Sequence, residues 1–199
     1  MNNIKMIVGL GNNLNNKFIK TRHNMGSNYI INLSNKFNIQ FKKIKKLNEN
    51  IGYLNILNKK IILLIPNSLM NNSGKSIFIV SSFYKILLKN ILVIHDELDY
   101  LPGIIKFKYG GGSGGHNGIN NIIKIFNDKL FYRLRIGIGH PGCKDQVNNF
   151  VLTPPTLTEQ KNINLTIKNS IKALLVFIKT NNYNKAINYL HSKNNRIIK

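Results

Sequence analysis

Only seven acidic residues occur in the 199 positions of this chain, yet Asp96, Glu97 and Asp99 stand together directly after His95. A histidine accepts and returns a proton near neutral pH, and a carboxylate beside it fixes its tautomer and stabilises its charged form. A carboxylate in a loop has a plainer use, which is to accept backbone N–H groups. Further polar clusters follow apolar runs or open helical ones: Gly11-Asn12, Thr21-Arg-His-Asn24, Gly115-His-Asn117 and His140. Brought together, they would furnish a pocket of histidine, carboxylate and carboxamide. Such a pocket can move a proton and offer neutral donors to developing negative charge.

Other chemistries lack their residues. A dinucleotide fingerprint beginning at Gly9-Leu-Gly11 meets Leu14 where its third glycine belongs, and a P-loop ending in Gly74-Lys-Ser76 meets Leu69 at its first glycine. The five histidines show no H-E-x-x-H spacing, so no metal centre is expected. Cys143 is the single cysteine, which excludes an intramolecular disulfide framework and a four-cysteine zinc module. With no paired base indicated, it reads as inert. The run 110–115, glycine except for Ser113, carries no P-loop lysine and reads as a flexible turn or the wall of a ligand cleft.

The elements that must position these groups follow from hydrophobic periodicity. Residues 6–10 form a buried strand. Met25, Tyr29, Ile30, Leu33 and Phe37 recur at helical spacing, and 42–50 reads as a polar, lysine-rich connection. Strands are expected near 51–57 and 60–65, the second ended by Pro66, then a helix over about 72–85 with Ile77, Val80, Ser81 and Tyr84 on one side. Strands at 91–95, 104–109 and 131–139 enclose a helix through Ile119, Ile122, Ile123 and Phe126. Two helices close the chain. The first opens at Thr156 with Glu159 three residues on, a capping-box pattern, and the second begins near Asn182. Strands interleaved with helices predict one α/β domain over 1–199, a mixed twisted sheet covered by helices on both faces, with C-terminal helices over about 156–193. In such sheets ligands bind beyond the carboxyl ends of the strands.

Composition adds a partner class. The formal net charge is +22, which suits an anionic partner such as nucleic acid. Lysine outnumbers arginine about six to one, however, and the chain is crowded with Asn and Ile, so AT-rich codons account for part of that charge. The apolar runs are too short to span a bilayer, and no targeting segment precedes residue 6. The expected address is the cytoplasm.

At this point a family becomes recognisable. Ile7-Val-Gly-Leu-Gly-Asn12, Thr21-Arg-His-Asn-Met-Gly26, Leu69-Met-Asn-Asn-Ser-Gly74, His95-Asp-Glu-Leu-Asp99, Gly114-Gly-His-Asn-Gly118, Arg133-Leu-Arg-Ile-Gly-Ile-Gly-His-Pro-Gly142 and Phe150-Val-Leu152 occur in this order. From about residue 4 to residue 190 the chain resembles bacterial peptidyl-tRNA hydrolase. The resemblance implies a monomeric cytoplasmic α/β enzyme without cofactor or metal, which hydrolyses the ester between a peptide and the terminal ribose of tRNA. It makes His23 the base that activates water, Asp96 its orienting carboxylate, and Asn12 the residue that tells N-blocked from free aminoacyl-tRNA. Asn71 and Asn117 would hold the substrate backbone and position water. His116, Lys108 and Arg135 would lie near the substrate channel or the tRNA backbone.

The chain departs from the family pattern in places. Asn13-Leu14 replaces a common Pro-Gly, the loop over 13–17 is longer, Phe18 stands for a tyrosine, Leu69 for a phenylalanine and Ser113 for a histidine. Phe18 keeps a face for stacking on a base and loses the phenolic hydrogen bond. These changes touch binding more than catalysis. Two other readings compete: a relative that binds RNA without turnover, and a non-specific polycation. Retention of His23, Asp96 and Asn12 argues against the first.

Overall fold

Three runs of uninterrupted apolar residues form the centre of the molecule, and they are apolar throughout because both of their faces are covered. In the computed structural model, which describes residues 3–12 and 20–194, these runs lie within β1 (Met6–Gly9), β4 (Lys59–Ile65) and β5 (Ile91–Glu97). With β2 (Lys42–Ile44), β3 (Glu49–Ile56), β6 (Ile105–Tyr109) and β7 (Tyr132–Gly137) they make a seven-stranded sheet of order β2-β3-β4-β1-β5-β7-β6. The four strands from β4 to β7 in that order are parallel, while β2, β3 and β6 run antiparallel to their neighbours.

Alternation along each strand sorts the core into two layers. Ile7, Leu63, Leu92, Ile94 and Leu134 face α1 (Met25–Lys36), α5 (Leu157–Thr180) and α6 (Tyr183–Asn194). Met6, Val8, Leu64, Ile91 and Val93 face α2 (Ser73–Phe83) and α3 (Asn117–Phe126). The sheet is therefore mixed, with helices on both faces, as the periodicity predicts. The expected capping box is present: the Thr156 hydroxyl accepts from the Glu159 N–H and the Glu159 carboxylate accepts from the Thr156 N–H.

Two local readings are corrected, and one element was not anticipated. Residues 42–50 are not simply a connection, because 42–44 pair with 49–51 as an edge strand whose lysines face solvent. Charge on an edge strand blocks further pairing, so a polar strand there looks like a loop in sequence. His95, Asp96 and Glu97 lie within β5 rather than after it. A short helix, α4 (Val147–Val151), is too brief to show a period.

Candidate active site

The carboxyl ends of β1 and β5 lie side by side in the middle of the sheet, and the chain after β1 returns there through a 3-10 turn at Arg22–Asn24. That turn leads directly into α1, whose Gly26 lies against the sheet. A Cβ on Gly26 would stand 2.2 Å from the Ile94 carbonyl oxygen, so only glycine lets the helix come this close. The Leu10 N–H donates to the Ile94 carbonyl at 2.9 Å and the Ser27 N–H to the Leu10 carbonyl at 2.8 Å, which ties β1, β5 and α1 together beneath His23.

His23 Nδ1 lies 2.9 Å from Asp96 Oδ2, and both residues are buried. The carboxylate only accepts, so Nδ1 donates. Nε2, on the far side of the ring, has no hydrogen-bond partner among the described residues. The ring borders a cleft whose lining also includes Asp96, His116, Asn117, Val147 and Val151. Asp96 holds a second ring, with Oδ1 lying 3.0 Å from His116 Nε2. His116 is also the N-cap of α3, its Nδ1 accepting from the Gly118 and Ile119 N–H groups at 3.1 and 3.3 Å. An atom that accepts two N–H groups carries no hydrogen, so the ring's proton sits on Nε2 and is donated to Asp96.

Electrostatics follow this geometry. Burial alone would raise the Asp96 carboxyl, but His23, His116 and their hydrogen bonds hold it well below the usual carboxylate range. Burial alone would lower His23, and the Asp96 charge and hydrogen bond outweigh it and raise the imidazole above its ordinary 6.5. His95 is fully enclosed, its ring 4.9 Å from that of His116, and burial followed by His116 keeps it far below 6.5 and uncharged.

His23, Asp96 and His116 place three ligand-type atoms within 4.8 Å of one another. The donor set does not suit a divalent ion. A metal on His116 Nε2 would leave the neutral ring's proton on Nδ1, pointing at two N–H donors.

Asn12 is tied to the two neighbouring 3-10 turns. The Asn12 N–H donates to Asn24 Oδ1 at 2.6 Å, and Asn12 Oδ1 accepts from the Met70 N–H at 3.1 Å. With its oxygen committed to Met70, the Asn12 side chain has Nδ2 as its remaining hydrogen-bonding group, a donor. Met70 belongs to the buried cluster of Leu10 and Ile119, which fixes the 3-10 turn Met70–Asn72 close to α3. Leu69 and Asn71 on that turn are exposed, as is Asn117 at the first position of α3. Lys108 on β6 and Arg135 on β7 do not line this cleft themselves, although Glu97, the partner of Arg135, does. Arg135 stacks 4.7 Å over Tyr100 and pairs with Glu97 at 3.3 Å. Phe18 and the 13–17 loop lie outside the described residues.

Sequence reasoning missed Arg22. Its buried guanidinium donates to Thr153 Oγ1 at 2.7 Å, the Pro154 carbonyl at 2.8 Å and Glu159 Oε2 at 2.8 Å, and lies 4.1 Å over Phe150. It ties the turn bearing His23 to the start of α5. Its position beside His23 was visible, but a partner 137 positions away was not.

A model of the peptidyl-tRNA hydrolase family matches residues 6–197. The peptidyl-tRNA hydrolase of Yersinia enterocolitica is 46% identical over 193 residues, covering 96% of this chain and 97% of that protein. The one from Baumannia cicadellinicola is 44% identical over 190 residues, with 95% and 97% covered. Among solved structures, peptidyl-tRNA hydrolase from Acinetobacter baumannii superposes with a TM-score of 0.89 at 39% identity, covering 96% of this chain and 95% of that one.

Proposed function

The chain belongs to the peptidyl-tRNA hydrolase family and hydrolyses peptidyl-tRNA, and within that activity we propose that His23 is the general base and Asp96 the carboxylate that orients it. The observation that carries this reading is the 2.9 Å bond from His23 Nδ1 to Asp96, which leaves Nε2 as the atom turned to the cleft.

Nε2 takes a proton from a water molecule as its oxygen bonds to the carbonyl carbon of the ester joining peptide to terminal ribose. The imidazolium so formed is stabilised by Asp96. Collapse of the tetrahedral adduct breaks the bond to the ribose oxygen, which takes the proton back from Nε2. The products are a peptide acid and free tRNA. Asn71 and Asn117 donate to the developing oxyanion or the peptide backbone, neutral groups that need no proton bookkeeping. His116 steadies the second oxygen of Asp96. Asn12 offers Nδ2, a donor that matches an acylated nitrogen's carbonyl and finds no acceptor on a free α-ammonium group. Leu69 and Phe18 contribute apolar contact to the acceptor end, and Lys108 and Arg135 meet the tRNA backbone.

Residues 1–199 act as one catalytic unit, α5 included, and the Arg22–Glu159 bond supports this. The enzyme is proposed to work as a cytoplasmic monomer without metal or cofactor. Among the described residues no helix is long and apolar enough to cross a membrane. A purely RNA-binding role leaves the oriented base without a use.

The test is turnover of an N-acetylated aminoacyl-tRNA by His23→Ala protein whose circular dichroism matches wild type. A loss of about a thousandfold or more is expected; wild-type turnover would remove His23 from the mechanism.

A further inference from the structure

The loop over 110–115 joins β6 to α3 and delivers His116 and Asn117 to the cleft, yet its own sequence does little to fix its path. Gly110, Gly111, Gly114 and Gly115 have φ of 68°, 91°, 58° and 79°, the left-handed region that glycine enters freely. A Cβ at Gly112, Gly114 or Gly115 would meet nothing within 4 Å. Packing on this segment is confined to its start, where Gly110 faces Leu130 and Gly111 faces the Lys108 side chain.

Its fastenings come from β7 and from Phe131, the residue before it. The Gly110 N–H donates to the Phe131 carbonyl at 3.0 Å. Arg133 donates through Nη1 to the Gly112 carbonyl at 2.6 Å and through Nη2 to the Gly111 carbonyl. The guanidinium lies 4.5 Å over the Phe131 ring, and the residue is 2% exposed. It forms no ion pair among the described residues. Burial, followed by Arg135, pulls it down to about 10, so it remains charged at neutral pH. Burying a charge against two carbonyls is costly, and a loop with no other role would not need it. Past the clamp, the His116 N–H donates to the Ser113 carbonyl at 3.1 Å, closing the turn that seats His116 against Asp96.

We propose that Arg133 is a positioning residue for the hydrolysis: by clamping the Gly111 and Gly112 carbonyls it sets the height at which His116 and Asn117 enter the cleft, without touching substrate. The inference rests on the acid–base reading given above. It separates Arg133 from Arg135, two residues on along the same strand. Arg133 is sealed with its end nitrogens engaged, while Arg135 is partly exposed.

Two variants test it on N-acetylated aminoacyl-tRNA. Arg133→Lys keeps the charge but reaches one carbonyl at a time, and Arg133→Met removes the clamp. We expect kcat to fall about tenfold in Arg133→Lys and about a hundredfold in Arg133→Met, the scale for a misplaced site whose chemistry is untouched. KM should stay within about twofold, and the slope of log KM against log salt should match wild type because no phosphate contact is lost. Arg135→Gln should instead reduce that slope by about one.

Wild-type kcat in folded Arg133→Met overturns the proposal. A raised KM with a shallower salt slope also overturns it, by placing Arg133 on the tRNA. If Arg133→Met does not fold, Arg133→Lys decides alone, and wild-type kcat there has the same meaning. Failure of the underlying mechanism shows separately, as equal cleavage by wild-type and His23→Ala proteins.

Discussion

Asp96 and His23 are joined by a 2.9 Å hydrogen bond, and the other oxygen of the same carboxylate lies 3.0 Å from His116. One buried anion thus receives two N–H donors, one on each oxygen, from rings whose centroids lie 4.9 Å apart. A carboxamide cannot replace it, because its oxygen suits one donor and its NH2 group faces the other.

Asp96→Asn should therefore lower kcat by about a hundredfold to ten-thousandfold through a wrongly oriented or wrongly protonated His23. Single-turnover cleavage of N-acetylated aminoacyl-tRNA measures this, and a loss below about tenfold would deny Asp96 the orienting role.

His116 serves the helix and the site through different nitrogens, and substitution separates the two. His116→Ala removes the N-cap of α3 and the Asp96 contact together, while asparagine is a good N-cap that does not reproduce the imidazole. Both variants lose the Asp96 contact, so urea unfolding should show His116→Ala about 1 kcal/mol less stable than His116→Asn. Both should lose about tenfold in kcat, as expected for a lost charge-assisted bond. Equal unfolding free energies for the two variants would contradict the capping role.

How much of this was legible beforehand depended on the distance over which each relation acts. The strands over 6–10, 60–65 and 91–95 announce themselves because a strand buried on both faces must be apolar along its whole length. The start of α5 was readable because a capping box is a local exchange between Thr156 and Glu159. The edge strand over 42–44 was hidden by its lysines. At the site, the resemblance supplied His23 and Asp96 as a pair, but nothing in the sequence says that Asp96 also receives His116, or that His116 caps its own helix. Both are consequences of where β5 ends relative to α3. Arg22 and Arg133 were passed over for the same reason. Each is a cation within a family motif whose partners, Glu159 and the Gly111 and Gly112 carbonyls, are distant in sequence.

Stability and activity should respond to pH in opposite directions. His23 is raised above 6.5 by its partner, so its contribution to stability is complete below 6.5 and is lost as pH rises through the raised value. Asp96 is depressed, so its contribution is present above 3.8 and is lost as pH falls through the depressed value. The pair therefore stabilises the fold most between 3.8 and 6.5. Urea unfolding across pH should show wild type gaining over Asp96→Asn in that interval and losing part of the advantage on the alkaline side. A constant difference from mildly acid to alkaline pH would contradict the His23–Asp96 linkage.

The most direct test of the central claim is the pH dependence of kcat/KM for N-acetylated aminoacyl-tRNA in wild type and Asp96→Asn. A base must be unprotonated to accept water's proton, so activity should rise with pH through the titration of His23. The midpoint should lie above 6.5 in wild type. Without the Asp96 charge, burial alone acts on the ring, and in Asp96→Asn the residual activity should show its midpoint moved to lower pH. An acid limb at the same pH in both proteins would mean that the group titrating in catalysis is not a His23 held by Asp96.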